Sequence, residues 1–141
     1  MELPDPVLVF LQSKGCVPAV AEAGLPGLVA AWERIVQAVA DGYPGGLEDY
    51  LRDMDTRALL EEAWQSARAD QQEPALDRLQ AADRRMRALV VPTDRCLSGD
   101  VKAEREGWSP DRHWWYFSHP ASAGPRLMSQ LEGDDAPGAD R

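Results

Sequence analysis

The feature that most constrains the fold is the regular spacing of apolar residues at positions 26–42, between a proline and a glycine. This stretch reads PGLVAAWERIVQAVADG. Its apolar side chains recur every three or four residues, at Leu28, Trp32, Ile35, Val36 and Val39. Pro26 suits the first turn of a helix, and Gly42 suits the residue after its end. The stretch therefore predicts an amphipathic helix whose apolar face is covered by other helices.

The N-terminal region predicts a short helix with its own start signal. Asp5 is a residue type favoured at the N-cap, and the proline that follows it suits the first helical position. Together they predict a helix at Pro6–Ser13, which Gly15 would end. The alanine-rich residues 16–25 are expected to add one more turn after Pro18.

Residues after position 70 predict two more helices. The polar sequence QQEP at 71–74 predicts a connection, and a helix is expected to begin at Pro74 with its arginines facing outward. Its core-facing residues would be Leu76, Leu79, Met86 and Leu89. A shorter helix is expected at Asp100–Glu106. No run alternates as strands do, and the only extended piece predicted is Leu89–Val91.

The segment 47–69 is also helical in its spacing, but Asp55 lies near its middle. Because aspartate caps helices, a break or kink is predicted near Met54–Thr56. The whole pattern predicts an all-α fold, a small antiparallel bundle of about four to six helices. Residues 1–131 would form this single domain. The acidic residues 132–141 are expected to be a mobile tail.

Residues 107–120, GWSPDRHWWYFSHP, contain three of the five tryptophans and both histidines. In one interpretation this irregular C-terminal segment packs on the bundle and fills its grooves, each buried ring stabilising the fold by roughly 1.5–3 kcal/mol. In the other, part of it is a docking surface with Arg112, Trp115 and His119 as anchors. We favour packing on the bundle.

The net charge of −9 favours a basic partner. Nucleic acids and anionic membranes are not expected as partners, because their binding draws on cationic side chains. Four acids cluster on one predicted helix, at Glu48, Asp49, Asp53 and Asp55. This cluster predicts a non-enzymatic protein-binding module that meets a basic protein, for example as an immunity protein or antitoxin does. The alternative interpretation of the cluster is an ordinary solvated helix face.

Two further functions stay open from the sequence. A small metal-binding protein or enzyme would use Cys96, His113 and His119, although zinc ligands usually pair at about two to five residues apart. These spacings do not match that rule, so no catalytic residue, metal or cofactor is predicted. A helical homo-oligomer, in which exposed aromatic residues close a symmetric interface, is the other alternative.

The cysteines and the N-terminal sequence indicate a compartment. Cys16 and Cys96 are too few for a disulfide framework. Residues 1–15 have neither the basic start of a signal peptide nor the length of a membrane span. We therefore expect a cytoplasmic protein with reduced thiols. Only two of its fifteen basic residues are lysines, a bias typical of GC-rich bacterial genes.

Overall fold

The computed structural model describes residues 4–135, and within them the chain forms six α-helices, a short 3₁₀ turn and a two-stranded sheet. The helices are α1 (Pro6–Ser13), α2 (Pro18–Ala40), α3 (Leu47–Ser66), α4 (Ala69–Leu89), α5 (Asp100–Glu106) and α6 (Pro125–Asp135). The strands are β1 (Val90–Pro92) and β2 (Ser118–Pro120), and the 3₁₀ turn is Trp114–Tyr116. The predicted all-α bundle, with an aromatic segment packed on it, is confirmed.

Helix α2 is the centre of the bundle and packs against α1, α3 and α4. Its buried residues recur at helical spacing, and they are Ala21, Leu25, Leu28, Val29, Trp32, Val36 and Val39. Trp32 is fully buried at the middle of this face. The amphipathic pattern of 26–42 therefore marks the element on which the rest of the core is assembled.

The start of α2 differs from the prediction of a single extra turn after Pro18. The helix runs from Pro18 to Ala40 and is kinked at Gly24, whose φ is 61° and ψ is −151°. These angles are accessible mainly to glycine. Pro26 has no N–H to donate to the preceding turn, so the kink lies where a helical hydrogen bond is missing in any case.

Helix α3 is continuous, so the predicted break near Met54–Thr56 is wrong. Met54 is fully buried on the inner face of the helix. Asp55 does not cap a helix, because its carboxylate accepts a hydrogen bond from the hydroxyl of Tyr116, at 2.5 Å. Asp55 is thus bonded to Tyr116, which is distant in sequence, and not to the backbone of its own helix.

Helix α4 begins at Ala69, before the predicted start at Pro74. The side chain of Gln71 accepts a hydrogen bond from the backbone N–H of Arg68, at 3.0 Å. The polar residues therefore belong to the capped first turn of the helix instead of preceding it. Leu79 and Met86 are buried as predicted, whereas Leu76 is 39 % exposed.

The extended piece predicted at Leu89–Val91 is confirmed in part as β1, but its pairing into a small sheet was not predicted. Strands β1 and β2 pair antiparallel, with Val91 opposite His119. Beyond the strands, the backbone N–H of Thr93 donates to Phe117 and that of Leu97 to Tyr116, both at 2.8 Å. Such short strands leave no alternating pattern in the sequence. Their pairing fixes the aromatic segment to the end of α4.

Helix α6 packs against α3 through the buried side chains of Leu127 and Leu131. It also caps α3, because the side chain of Gln130 accepts a hydrogen bond from the backbone N–H of Leu47, at 2.5 Å. Of the predicted mobile tail, residues 132–135 are the end of α6, and 136–141 lie outside the described residues. Over residues 4–135, none of the helices has the length and apolar character needed to cross a membrane.

Candidate binding surface on the third helix

The aromatic segment belongs to the core. The side chains of Trp114, Trp115, Tyr116 and Phe117 are all buried. Trp114 makes an edge contact with Trp32 of α2, with ring centroids 6.5 Å apart. Since these rings bury large apolar areas, they contribute strongly to the stability of the bundle. The interpretation as a packed segment therefore holds for the stretch 114–117.

Trp115 cannot anchor a docked partner, since it is only 1 % exposed. Of the other two predicted anchors, Arg112 is exposed and His119 is half-buried beside Pro120. The exposed aromatic residues that a homo-oligomer was expected to use are therefore not found at positions 114–117. The tryptophan of this segment that reaches the surface is Trp108, which is half-buried. Nothing in the sequence distinguishes Trp108 from the two tryptophans after it.

A buried arginine lies beneath these rings. Arg57 of α3 is 4 % exposed, and its guanidinium carbon lies 4.5 Å from the ring centroid of Trp115. It donates two hydrogen bonds to Asp83 of α4, at 2.8 and 3.1 Å, and one to Glu61, at 3.2 Å. Paired carboxylates and stacked rings compensate for the loss of water around the charge. Arg57 was missed from the sequence, although it falls in phase with the buried Met54.

Asp83 joins a further element to this arrangement. Besides Arg57, it accepts a hydrogen bond from the indole N–H of Trp32, at 2.9 Å. One carboxylate of α4 thus binds α2 and α3 together, beside the guanidinium that contacts the ring of Trp115. The polar groups of this cluster are committed to one another, which indicates a role in holding the bundle together.

The four acids predicted as a binding face lie on the first half of α3, where helical spacing places Glu48 and Asp55 on one side and Asp49 and Asp53 on another. Glu48 and Asp55 are exposed, and Asp49 and Asp53 are half-buried. Asp49 accepts a hydrogen bond from the backbone N–H of Gly46, at 3.0 Å, and forms an exposed ion pair with Arg52, at 3.5 Å. Arg52 is the only basic residue between positions 47 and 56. The face therefore keeps a negative charge after this pairing.

Two of these carboxylates are held by buried tyrosines. The hydroxyl of Tyr43 donates to Asp53 at 2.6 Å, and that of Tyr116 donates to Asp55 at 2.5 Å. Burial, and then the adjacent carboxylate, raise the pKa of each tyrosine well above its usual value. Both tyrosines are therefore neutral donors, which fix the position of the carboxylates without cancelling their charge.

This arrangement can bind cations. A carboxylate accepts about four hydrogen bonds, and each tyrosine uses one of them. The remaining acceptor positions suit the N–H groups of arginine and lysine, whose bonds to carboxylates are the stronger, charge-assisted kind. Because the tyrosines already restrict the side chains of Asp53 and Asp55, less conformational entropy is lost when a partner binds.

The predicted metal or nucleophile set is not brought together. Cys96 and His119 line a cavity of about 600 Å³ beside the two-stranded sheet, but His113 does not. His113 instead lies between the rings of Trp108 and Trp115. Within residues 4–135, no group of three or more histidine, cysteine, aspartate or glutamate side chains is arranged to hold a metal ion.

The pKa shifts of Cys96 and His113 are opposite to those expected of a nucleophilic thiolate and a charged imidazolium. Burial raises the pKa of the Cys96 thiol, so the thiol stays protonated near neutral pH. Reactive cysteines need the opposite shift. Burial lowers the pKa of His113, whose Nδ1 accepts a hydrogen bond from the backbone N–H of Ser109, at 3.3 Å.

Comparison of the chain with protein-family models, with curated proteins and with solved structures finds no match. The fold itself defines a small helical bundle with an aromatic segment in its core. Inference about function therefore rests on the chemistry of the surface, and above all on the acidic face of α3.

Proposed function

We propose that this protein is a non-enzymatic, cytoplasmic protein-binding module, which docks a basic protein on the acidic face of α3, as an immunity protein or antitoxin does. One observation carries the proposal: Asp53 and Asp55 are fixed by the hydroxyls of buried tyrosines, which carry no charge that would offset the carboxylates. Glu48 and Asp49 add two further carboxylates to the same half of the helix.

Charge complementarity gives such a face its selectivity. The net charge of −9 steers a cationic protein toward the molecule. Steering alone would be spread over many exposed acids, and it weakens as salt screens the charges. Fixed carboxylates add short-range hydrogen bonds to the steering, so a basic partner would prefer α3 over the other acidic surfaces.

The test removes charge from the face while keeping its hydrogen bonds. In the variant Glu48→Gln/Asp53→Asn/Asp55→Asn, the amide oxygens can still accept from the two tyrosines. A short synthetic peptide of alternating lysine and arginine serves as the probe, with affinity measured by isothermal titration calorimetry. We expect the variant to bind it at least about tenfold more weakly than the wild type.

A matched control carries the same change in net charge at exposed acids of other helices. The variant Glu73→Gln/Glu104→Gln/Glu106→Gln alters α4 and α5 and leaves α3 intact. We expect its affinity to stay within about twofold of the wild type. Equal weakening of both variants would mean that the peptide senses only net charge, and the proposal would fail. Light scattering on the same samples would reveal any self-association.

A further inference from the structure

One cation of the chain already lies on the half-buried aromatic ring of the C-terminal segment. The ammonium nitrogen of Lys102 is 5.6 Å from the ring centroid of Trp108. On this ring the lysine is within the range of a cation–π interaction. Within the described residues, no carboxylate is within ion-pair distance of Lys102.

The other lysine of the chain provides a contrast. Lys14 also lies over an aromatic ring, 5.8 Å from the centroid of Phe10. It is in addition paired with Glu62 of α3, at 3.2 Å. Lys14 is therefore held by two interactions, whereas Lys102 is held at the ring by one. Lys102 is half-buried, and within the described residues it lacks the ion pair that holds Lys14.

The ring of Trp108 is connected to the acidic face of α3. It stacks on Tyr116, with centroids 3.9 Å apart and planes 16° from parallel. The hydroxyl of the same tyrosine donates to Asp55. One buried tyrosine thus holds an indole against its ring and an exposed carboxylate at its hydroxyl. The two groups that bind a guanidinium best, an aromatic face and a carboxylate, are positioned by a single side chain.

We propose that Trp108 is the docking position for an arginine of the basic partner, which takes the place of Lys102 on the ring. This inference rests on the proposed function and identifies the side chain that the face recognises. A planar guanidinium can stack flat on an indole. An ammonium group lacks this geometry, so arginine would be preferred to lysine.

The test compares an oligoarginine peptide with an oligolysine peptide of equal length by calorimetry. The wild type should bind the arginine peptide more tightly. Trp108→Leu should weaken arginine binding about fivefold and abolish the preference, whereas Trp108→Phe should retain part of it. Lys102→Ala should strengthen arginine binding about threefold, because the competing cation is gone.

Lys14→Ala is the matched control, since it makes the same change in net charge and also uncovers an aromatic ring. It should leave the preference for arginine unchanged and raise affinity less than Lys102→Ala does. Similar behaviour of the two lysine variants, or wild-type binding by Trp108→Leu, would overturn the inference. If Trp108→Leu fails to fold, Trp108→Phe and the lysine pair decide the question.

The results also separate this inference from the proposed function. Suppose that both peptides bind the wild type and bind the α3 amide variant more weakly, but that the Trp108 and Lys102 variants bind them as tightly as the wild type does. The acidic face is then a docking surface without an arginine position, and only this inference fails. If neither peptide binds the wild type, both proposals fail.

Discussion

Asp53 and Asp55 show how a residue receives its role from partners distant in sequence. Both were predicted as part of one acidic helix face, but residues two positions apart in a helix point to different sides of it, and the two carboxylates have different partners. Their hydrogen bonds to Tyr43 and Tyr116 come from a loop and from the C-terminal segment. Helical spacing places a carboxylate on a face, but only the tertiary fold shows that a neutral donor fixes it.

His113 gives the molecule a residue-scale dependence on pH. Burial lowers the pKa of its imidazole below the usual value of 6.5. In the unfolded chain the imidazole takes up a proton at higher pH than in the folded chain. Its contribution to stability is therefore complete above the unfolded value, and it is lost as the pH falls through the lower folded value.

The variant His113→Asn isolates this contribution, because asparagine can still accept the hydrogen bond from Ser109. Urea unfolding of both proteins would be measured from about pH 8 to about pH 5. The stability of the wild type relative to the variant should decline as the pH is lowered. A constant or rising difference would show that the folded protein does not disfavour the charged imidazole.

At the scale of elements, the kink at Gly24 makes the sharpest prediction. A β-carbon there would meet Val7 and Pro26 only at ordinary contact distances, 4.0 and 3.9 Å. The cost of Gly24→Ala is therefore backbone strain alone, and we expect a loss of about 2–3 kcal/mol in the free energy of unfolding. Chemical denaturation measures it.

Gly15→Ala is the control for this prediction. Its φ of 79° also lies in the region that favours glycine, and no atom lies within 4 Å of an added β-carbon. Because it ends α1 in the milder left-handed conformation, we expect a loss of about 1 kcal/mol. Wild-type stability of Gly24→Ala would mean that α2 straightens at no cost.

The elements that were predicted well are those with local signals. The bounds of α1 match the prediction because Asp5 accepts hydrogen bonds from Val7 and Leu8, at 2.9 and 3.2 Å. The sheet was missed because its strands lie far apart in sequence. The predicted break in α3 was wrong because Asp55 does not cap a helix end. Its carboxylate instead accepts a hydrogen bond from Tyr116, which is distant in sequence.

At the scale of the whole molecule, Arg57 joins three of the helices to the aromatic segment. Through Asp83, Trp32 and Trp115, this one guanidinium connects α2, α3, α4 and the 3₁₀ turn. The amphipathic pattern predicted the positions of these helices, but not a charge between them, since a polar residue in a helix is ordinarily placed outside. The candidate binding face was likewise predicted as a set of acids. The sequence did not predict the tyrosines whose hydroxyls bind two of these acids, or Trp108, which stacks on Tyr116.

Arg57→Met should be strongly destabilising, by about 3 kcal/mol, because it leaves Asp83 partly buried without its cation. A double-mutant cycle with Asp83→Asn should return a coupling of about 1–3 kcal/mol. Arg78→Met, which breaks an exposed pair with Glu33, is the control and should have a much smaller effect. Additive effects of the Arg57 and Asp83 substitutions would mean that the network does not couple the helices.

The cluster of rings also gives the folded chain an optical signature. Trp114 and Trp115 have centroids 5.7 Å apart with planes at 77°, and Trp32 lies 6.5 Å from Trp114. Indoles fixed so closely couple their electronic transitions, so the near-ultraviolet circular dichroism reports contacts that exist only in the assembled bundle. The far-ultraviolet signal reports the helices themselves. A single heated sample therefore records the loss of assembly separately from the loss of helix.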